Sequence, residues 1–105
     1  MKREVDTQRE GEALVAYLSG EIDHHRAKGM REAIDCAFLE SGLSCLTLDF
    51  SAVKFMDSSG IALIIGRAEL CSERGARLIV RSLSASLYRI VKISGIEKHK
   101  SVTLL

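Results

Sequence analysis

Two short stretches near the start of the chain carry the alternation of a half-buried strand. Residues 5–9 and 13–19 flank Glu10-Gly11-Glu12, and in the second stretch Leu14, Ala16 and Leu18 alternate with Val15 and Tyr17, so each set faces one side of a pleat. The spacing predicts a hairpin. Gly20-Glu21-Ile22 closes its second strand, and Asp23 offers a carboxylate to the free amides of a following helix. From His24 the period changes to three and four. Ala27, Met30, Ile34, Ala37 and Phe38 fall on one face, while Arg26, Lys28, Arg31, Glu32 and Asp35 are directed to water. This helix is expected to end at Ser41-Gly42.

Residues 45–50 (Cys45-Leu46-Thr47-Leu48-Asp49-Phe50) show little polar alternation, as in a strand covered on both faces. Asp49 is expected to end that strand, with residues 51–56 forming a loop that brings Asp57 to the surface. Asp57, Ser58 and Ser59 are residue types that cap helices, because their oxygens accept from first-turn amides. Ile61, Ile64, Ile65, Ala68 and Cys71 then recur at helical spacing, which predicts a helix over residues 58–74 with that stripe in the core. Residues 77–81, between Gly75 and Ser82, read as a short buried strand. A third helix starts near Ser84 and presents Leu87, Ile90, Val91 and Ser94 on one face. Gly95 is its left-handed cap, and Ile96 folds back onto the last turn. Lys98-His99-Lys100 is a solvated link, and residues 101–105 are a candidate terminal strand.

The sum is an α/β fold, ββαβαβα with a possible last β, built on a single mixed sheet of four to five strands flanked by helices. Right-handed crossovers make its central strands parallel neighbours. The 105 residues form one domain of ordinary size, expected to span residues 1–105. Fifteen basic against fourteen acidic side chains leave a net charge of +1, so no electrostatic case exists for a nucleic-acid partner. Met1-Lys2-Arg3 leads into Glu4 and Asp6 instead of an apolar segment. The densest apolar run, residues 61–65, is far too short to span a bilayer. The expected location is therefore the cytoplasm, without membrane attachment. Cys36, Cys45 and Cys71 are odd in number, lie in apolar patterns and lack Cys-x-x-Cys spacing. They read as reduced core residues.

The candidate chemistry is concentrated in the polar turn before the second helix. Ser58 and Ser59 sit at the positive end of a helix dipole, where a phosphate is tolerated. The same residues also make an ordinary N-cap with a spare hydroxyl. A serine hydrolase is disfavoured, since the turn lacks Gly-x-Ser-x-Gly and has no evident partner base. His24 and His25 are adjacent, diverge by about 100° on a helix and have no third ligand nearby, so no metal or other cofactor is expected.

Phe55-Met56-Asp57-Ser58-Ser59-Gly60, following an apolar strand and opening a long amphipathic helix, resembles the phosphoacceptor turn of the STAS-domain anti-sigma factor antagonists. A second point of resemblance is Gly20-Glu21-Ile22-Asp23-His24-His25, similar to the Gly-Glu-Leu-Asp-His-His of anti-sigma F factor antagonists from spore-forming bacteria. The late Ser94-Gly95-Ile96 helix end is a third. The resemblance implies a switchable binding module, not an enzyme. Its unphosphorylated form binds an anti-sigma factor that is also a serine kinase and so releases the sigma factor. Phosphorylation of Ser58 ends the interaction, and a PP2C-type serine phosphatase resets it. ATP and metals belong to those partners, and the free protein is expected to be monomeric. The surface that would feel the phosphate includes Asp23, His24, His25, Met56, Asp57, Ser59 and Gly60. Ala62 and Gly66 add a face of small residues that a partner can approach closely. A regulatory or scaffold STAS module in a stress-signalling assembly is the alternative. Relatives commonly carry a proline before the third helix, where this chain has Ser84-Ala85, and often continue into another terminal element.

Overall fold

The computed structural model describes residues 4–105; Met1, Lys2 and Arg3, the charged start noted above, lie outside the described residues. Strand β1 (Val5–Glu10) turns at Gly11, whose φ of +63° suits a residue without a side chain, into β2 (Ala13–Ile22). Helix α1 (His24–Ser41), strand β3 (Cys45–Met56), helix α2 (Ser58–Glu73), strand β4 (Arg77–Arg81) and helix α3 (Ala85–Ser94) follow. A short 3-10 turn (Ile96–Lys98) leads to β5 (Val102–Leu104), so the candidate terminal strand forms. The five strands make one sheet in the order β1-β2-β3-β4-β5; only the β1–β2 pair is antiparallel.

Each parallel step moves the chain one place in the same direction across the sheet, and right-handed crossovers then put all three helices on one face. The core agrees. Leu14, Ala16 and Leu18 of β2, Leu46, Leu48 and Phe50 of β3, and Leu78 and Val80 of β4 join Ile34, Phe38, Ile64, Ala68, Leu87 and Val91 in a single apolar cluster. The other sheet face carries polar groups in register. Tyr17 pairs with Asp49 and Asp49 with Arg81, and Arg81 Nε donates to Asp49 Oδ2 at 2.9 Å.

Four expectations need correction. First, β3 does not end at Asp49, and residues 51–56 are strand and not loop, because β2 is long enough to pair with them through Gly20↔Val53, Glu21↔Phe55 and Ile22↔Met56. Asp49 is not a terminator either, since its carboxylate accepts from Ser51 N at 2.9 Å and Ser51 Oγ at 2.6 Å as well as from Arg81. Second, the buried face of α2 is Gly60, Leu63, Ile64, Arg67, Ala68 and Cys71; Ile65 is 40% exposed and Ile61 only half-buried. The helix is rotated so that Arg67 Nε meets Asp35 Oδ1 of α1 at 2.7 Å, which also removes Asp35 from the purely solvated set.

Third, α3 buries only Leu87 and Val91; Ile90 is 45% exposed and Ser94 also faces outward. Fourth, Cys36 is exposed on α1, Cys45 is half-buried and Cys71 is buried. All three are unbridged, but only Cys71 is a core residue, and burial pushes its thiol up to about 11. Ser84 caps α3 by accepting from Leu87 N at 3.3 Å, after a left-handed Ser82 (φ +62°).

Candidate functional site

Parallel β2 and β3 run past the end of β4 as a two-stranded extension, and both helices that follow them begin at its tip. The two starts are joined through the backbone, Asp57 N donating to Ile22 O at 3.1 Å. The Gly20-to-His25 loop and the Asp57-Ser58-Ser59 turn are therefore neighbours, although more than thirty residues separate them in the chain.

Each helix is opened by an aspartate in extended conformation. Asp23 caps α1 by accepting from Arg26 N at 2.8 Å, and its second oxygen pairs with Arg26 Nη1 at 2.6 Å. The backbone bond, then the guanidinium, hold the Asp23 carboxyl below the usual range. Asp57 caps α2 by accepting from Ser59 N at 2.7 Å, and its carbonyl accepts from Gly60 N at 2.9 Å. The local sequence thus fixes the turn: one aspartate satisfies two first-turn amides. Ser58, the first residue of α2, is exposed, and among the described residues nothing hydrogen-bonds its hydroxyl. Ser59 is half-buried.

The expected site residues divide on burial. Asp23, His24, His25, Asp57, Ser58, Ser59 and Ala62 lie at the surface or partly so. Met56 does not: it is 3% exposed, part of the core, and offers no side chain to a partner. Gly60 is also buried, because α2 crosses directly over Met56; a Cβ at position 60 would lie 2.6 Å from Met56 Sδ and 2.9 Å from its Cβ. These two residues set the height of the turn and are corrected from contact surface to support. Gly66 is half-buried with open space beside it.

Between α1 and α2 the surface opens into a groove of about 510 Å³, with His24, His25, Lys28 and Arg31 along one wall and Ser59 and Ala62 along the other. The involvement of Lys28 and Arg31 was missed in the sequence, where they read as solvated charges. Their spacing from His24, four and then three residues, carried the signal of a shared helical face.

Residues 4–103 match the STAS domain. An anti-sigma F factor antagonist from Paenibacillus polymyxa is 30% identical over 98 residues, covering 93% of this chain and 84% of that one. The chain is a STAS domain of the anti-sigma factor antagonist family. An anti-sigma-B factor antagonist from Listeria monocytogenes is 28% identical to this STAS domain, over 85% of the chain and 77% of the relative. Among solved structures, the anti-sigma factor antagonist SpoIIAA in its unphosphorylated form superposes with a TM-score of 0.70 at 27% identity, covering 85% of this chain and 82% of that chain. The phosphorylated form of SpoIIAA gives 0.72 at 25% identity, over 96% and 90%. The mixed five-stranded sheet with three helices is the fold of these relatives.

Proposed function

We propose that this STAS domain is a phosphorylation-switched antagonist of an anti-sigma factor: unphosphorylated, it binds an anti-sigma factor serine kinase and releases the sigma factor, and phosphorylation of Ser58 ends the interaction. The observation that carries the reading is the placement of Ser58, an exposed hydroxyl on the first residue of α2, beside the Asp23-His24-His25 start of α1. A phosphoserine there brings ~1.5 to 2 negative charges to a helix end that bears them. The fold need not change, so the partner surface does.

In this reading residues 1–105 act as one domain, monomeric when free, in the cytoplasm; no helix among the described residues is long and apolar enough to cross a membrane. The domain binds and is modified without catalysing a reaction. ATP and metal are used by the kinase and by a PP2C-type phosphatase that restores Ser58. Incubation with ATP and the cognate kinase, followed by phosphopeptide mass spectrometry, is expected to place one phosphate on Ser58 and none on a Ser58→Ala variant. Modification chiefly at Ser59, or undiminished in the variant, would overturn the assignment.

A further inference from the structure

The groove between α1 and α2 is unbalanced in charge. Lys28 and Arg31 line it beside His24 and His25, and no carboxylate does. Neither cation forms an ion pair among the described residues, whereas Arg26 and Arg81 at the surface and the buried Arg67 are each paired. Of the nearby carboxylates, Asp23 is engaged by Arg26, Asp57 by the Ser59 amide and Asp35 by Arg67, with Arg31 also acting on Asp35 through space; Glu32, beside Arg31 in the chain, is exposed and does not line the groove. The first turns of α1 and α2 lie at the same end of the sheet, so their dipoles add to the same positive potential. In a chain with a net charge of only +1, this concentration of cations along one groove is local.

Resting on the proposed function, we infer that this groove receives a carboxylate-bearing segment of the kinase partner. Ala27 and Leu63 are buried at its base and Ala62 is small, so the groove admits a peptide segment that presents acidic side chains to Lys28 and Arg31. Ser59, next to the phosphoacceptor, forms part of the opposite wall. A phosphate on Ser58 then acts twice: it neutralises the potential that draws the partner in, and it repels the carboxylates already seated there.

The test titrates the cognate kinase into wild-type protein and into Lys28→Glu, Arg31→Glu and the double variant, each checked for native circular dichroism. Wild-type binding should weaken with added salt, as expected of exposed charge pairs. Each reversal should cost roughly tenfold in Kd at low salt, and Lys28→Arg should bind like wild type. If wild type binds and the reversed variants bind equally well, the groove assignment is overturned while the proposed function stands. If wild type does not bind the kinase, the proposed function fails, and an NMR titration with a hexaglutamate peptide decides the groove on its own. Amide shifts at Lys28, Arg31 and Ala62 on adding that peptide would support an acidic-peptide groove. Shifts with inorganic phosphate alone, or with neither, would overturn it.

Discussion

Asp57 N donates to Ile22 O at 3.1 Å, and through that bond the turn that opens α2 is fastened to the strand that leads into α1. Two loops distant in sequence are thereby held as one surface, with Ser58 outward and Met56 inward. The switch is built on support that must stay rigid, which leads to predictions for its supporting residues.

Gly60→Ala should destabilise the fold by about 1 to 2 kcal/mol, because overpacking against Met56 exceeds the ~1 kcal/mol that alanine gains over glycine in a helix. The added Cβ would meet Met56 at 2.6 Å. Urea unfolding checks this. In a Met56→Ala background the same change should cost less, since Sδ and Cγ are gone and only the Cβ at 2.9 Å remains in the way.

Arg67→Ala should cost about 3 kcal/mol in urea unfolding, since it leaves Asp35 partly buried without its partner. Burial raises the Asp35 carboxyl and lowers the Arg67 guanidinium even with the pair intact, so desolvation outweighs their attraction. Replacing both, as Asp35→Leu with Arg67→Met, should therefore be close to neutral.

Asp49 sets part of the acid limb of stability. Burial works against its ionisation, but the Ser51 hydroxyl and amide, then Arg81, hold its carboxyl below the usual range. Protons therefore bind the unfolded form first as pH falls. The contribution is complete above the ordinary carboxylate value of ~3.9 and is lost as pH drops through the lower folded value. Urea midpoints between about pH 6 and pH 2 should fall more steeply for wild type than for Asp49→Asn. The variant should be weaker at neutral pH, where Arg81 loses its charged acceptor.

Much of this was legible in the sequence, because local rules and tertiary structure agree in most places. Asp23 and Asp57 cap as their types require, Gly42 and Gly95 are left-handed at helix ends, and Leu14, Ala16 and Leu18 share the core face. The misses have one cause: a distant partner changed what a residue tolerates. Arg67 looks wrong for a core face until Asp35 stands opposite it, so the apolar pattern points to a stripe from Ile61 instead of Gly60. Residues 51–56 look like loop until β2 supplies a pairing edge. Met56, beside the Asp57-Ser58-Ser59 turn in sequence, reads as surface, yet the strand it closes points it under α2. Lys28 and Arg31 gain meaning only from the helix packed beside them.

The central claim is that one phosphate on Ser58 changes binding and not fold. A phosphate charge within about 5 Å of a partner carboxylate raises the energy by about 3 kcal/mol per unit charge at an effective dielectric near 20. A hundredfold loss of affinity needs only ~2.7 kcal/mol. The most direct measurement is a calorimetric titration of the cognate kinase into unphosphorylated protein and into protein phosphorylated on Ser58, under identical buffer and salt. The account predicts Kd weaker by roughly a hundredfold or more for the phosphorylated form; equal affinity of the two forms would contradict it.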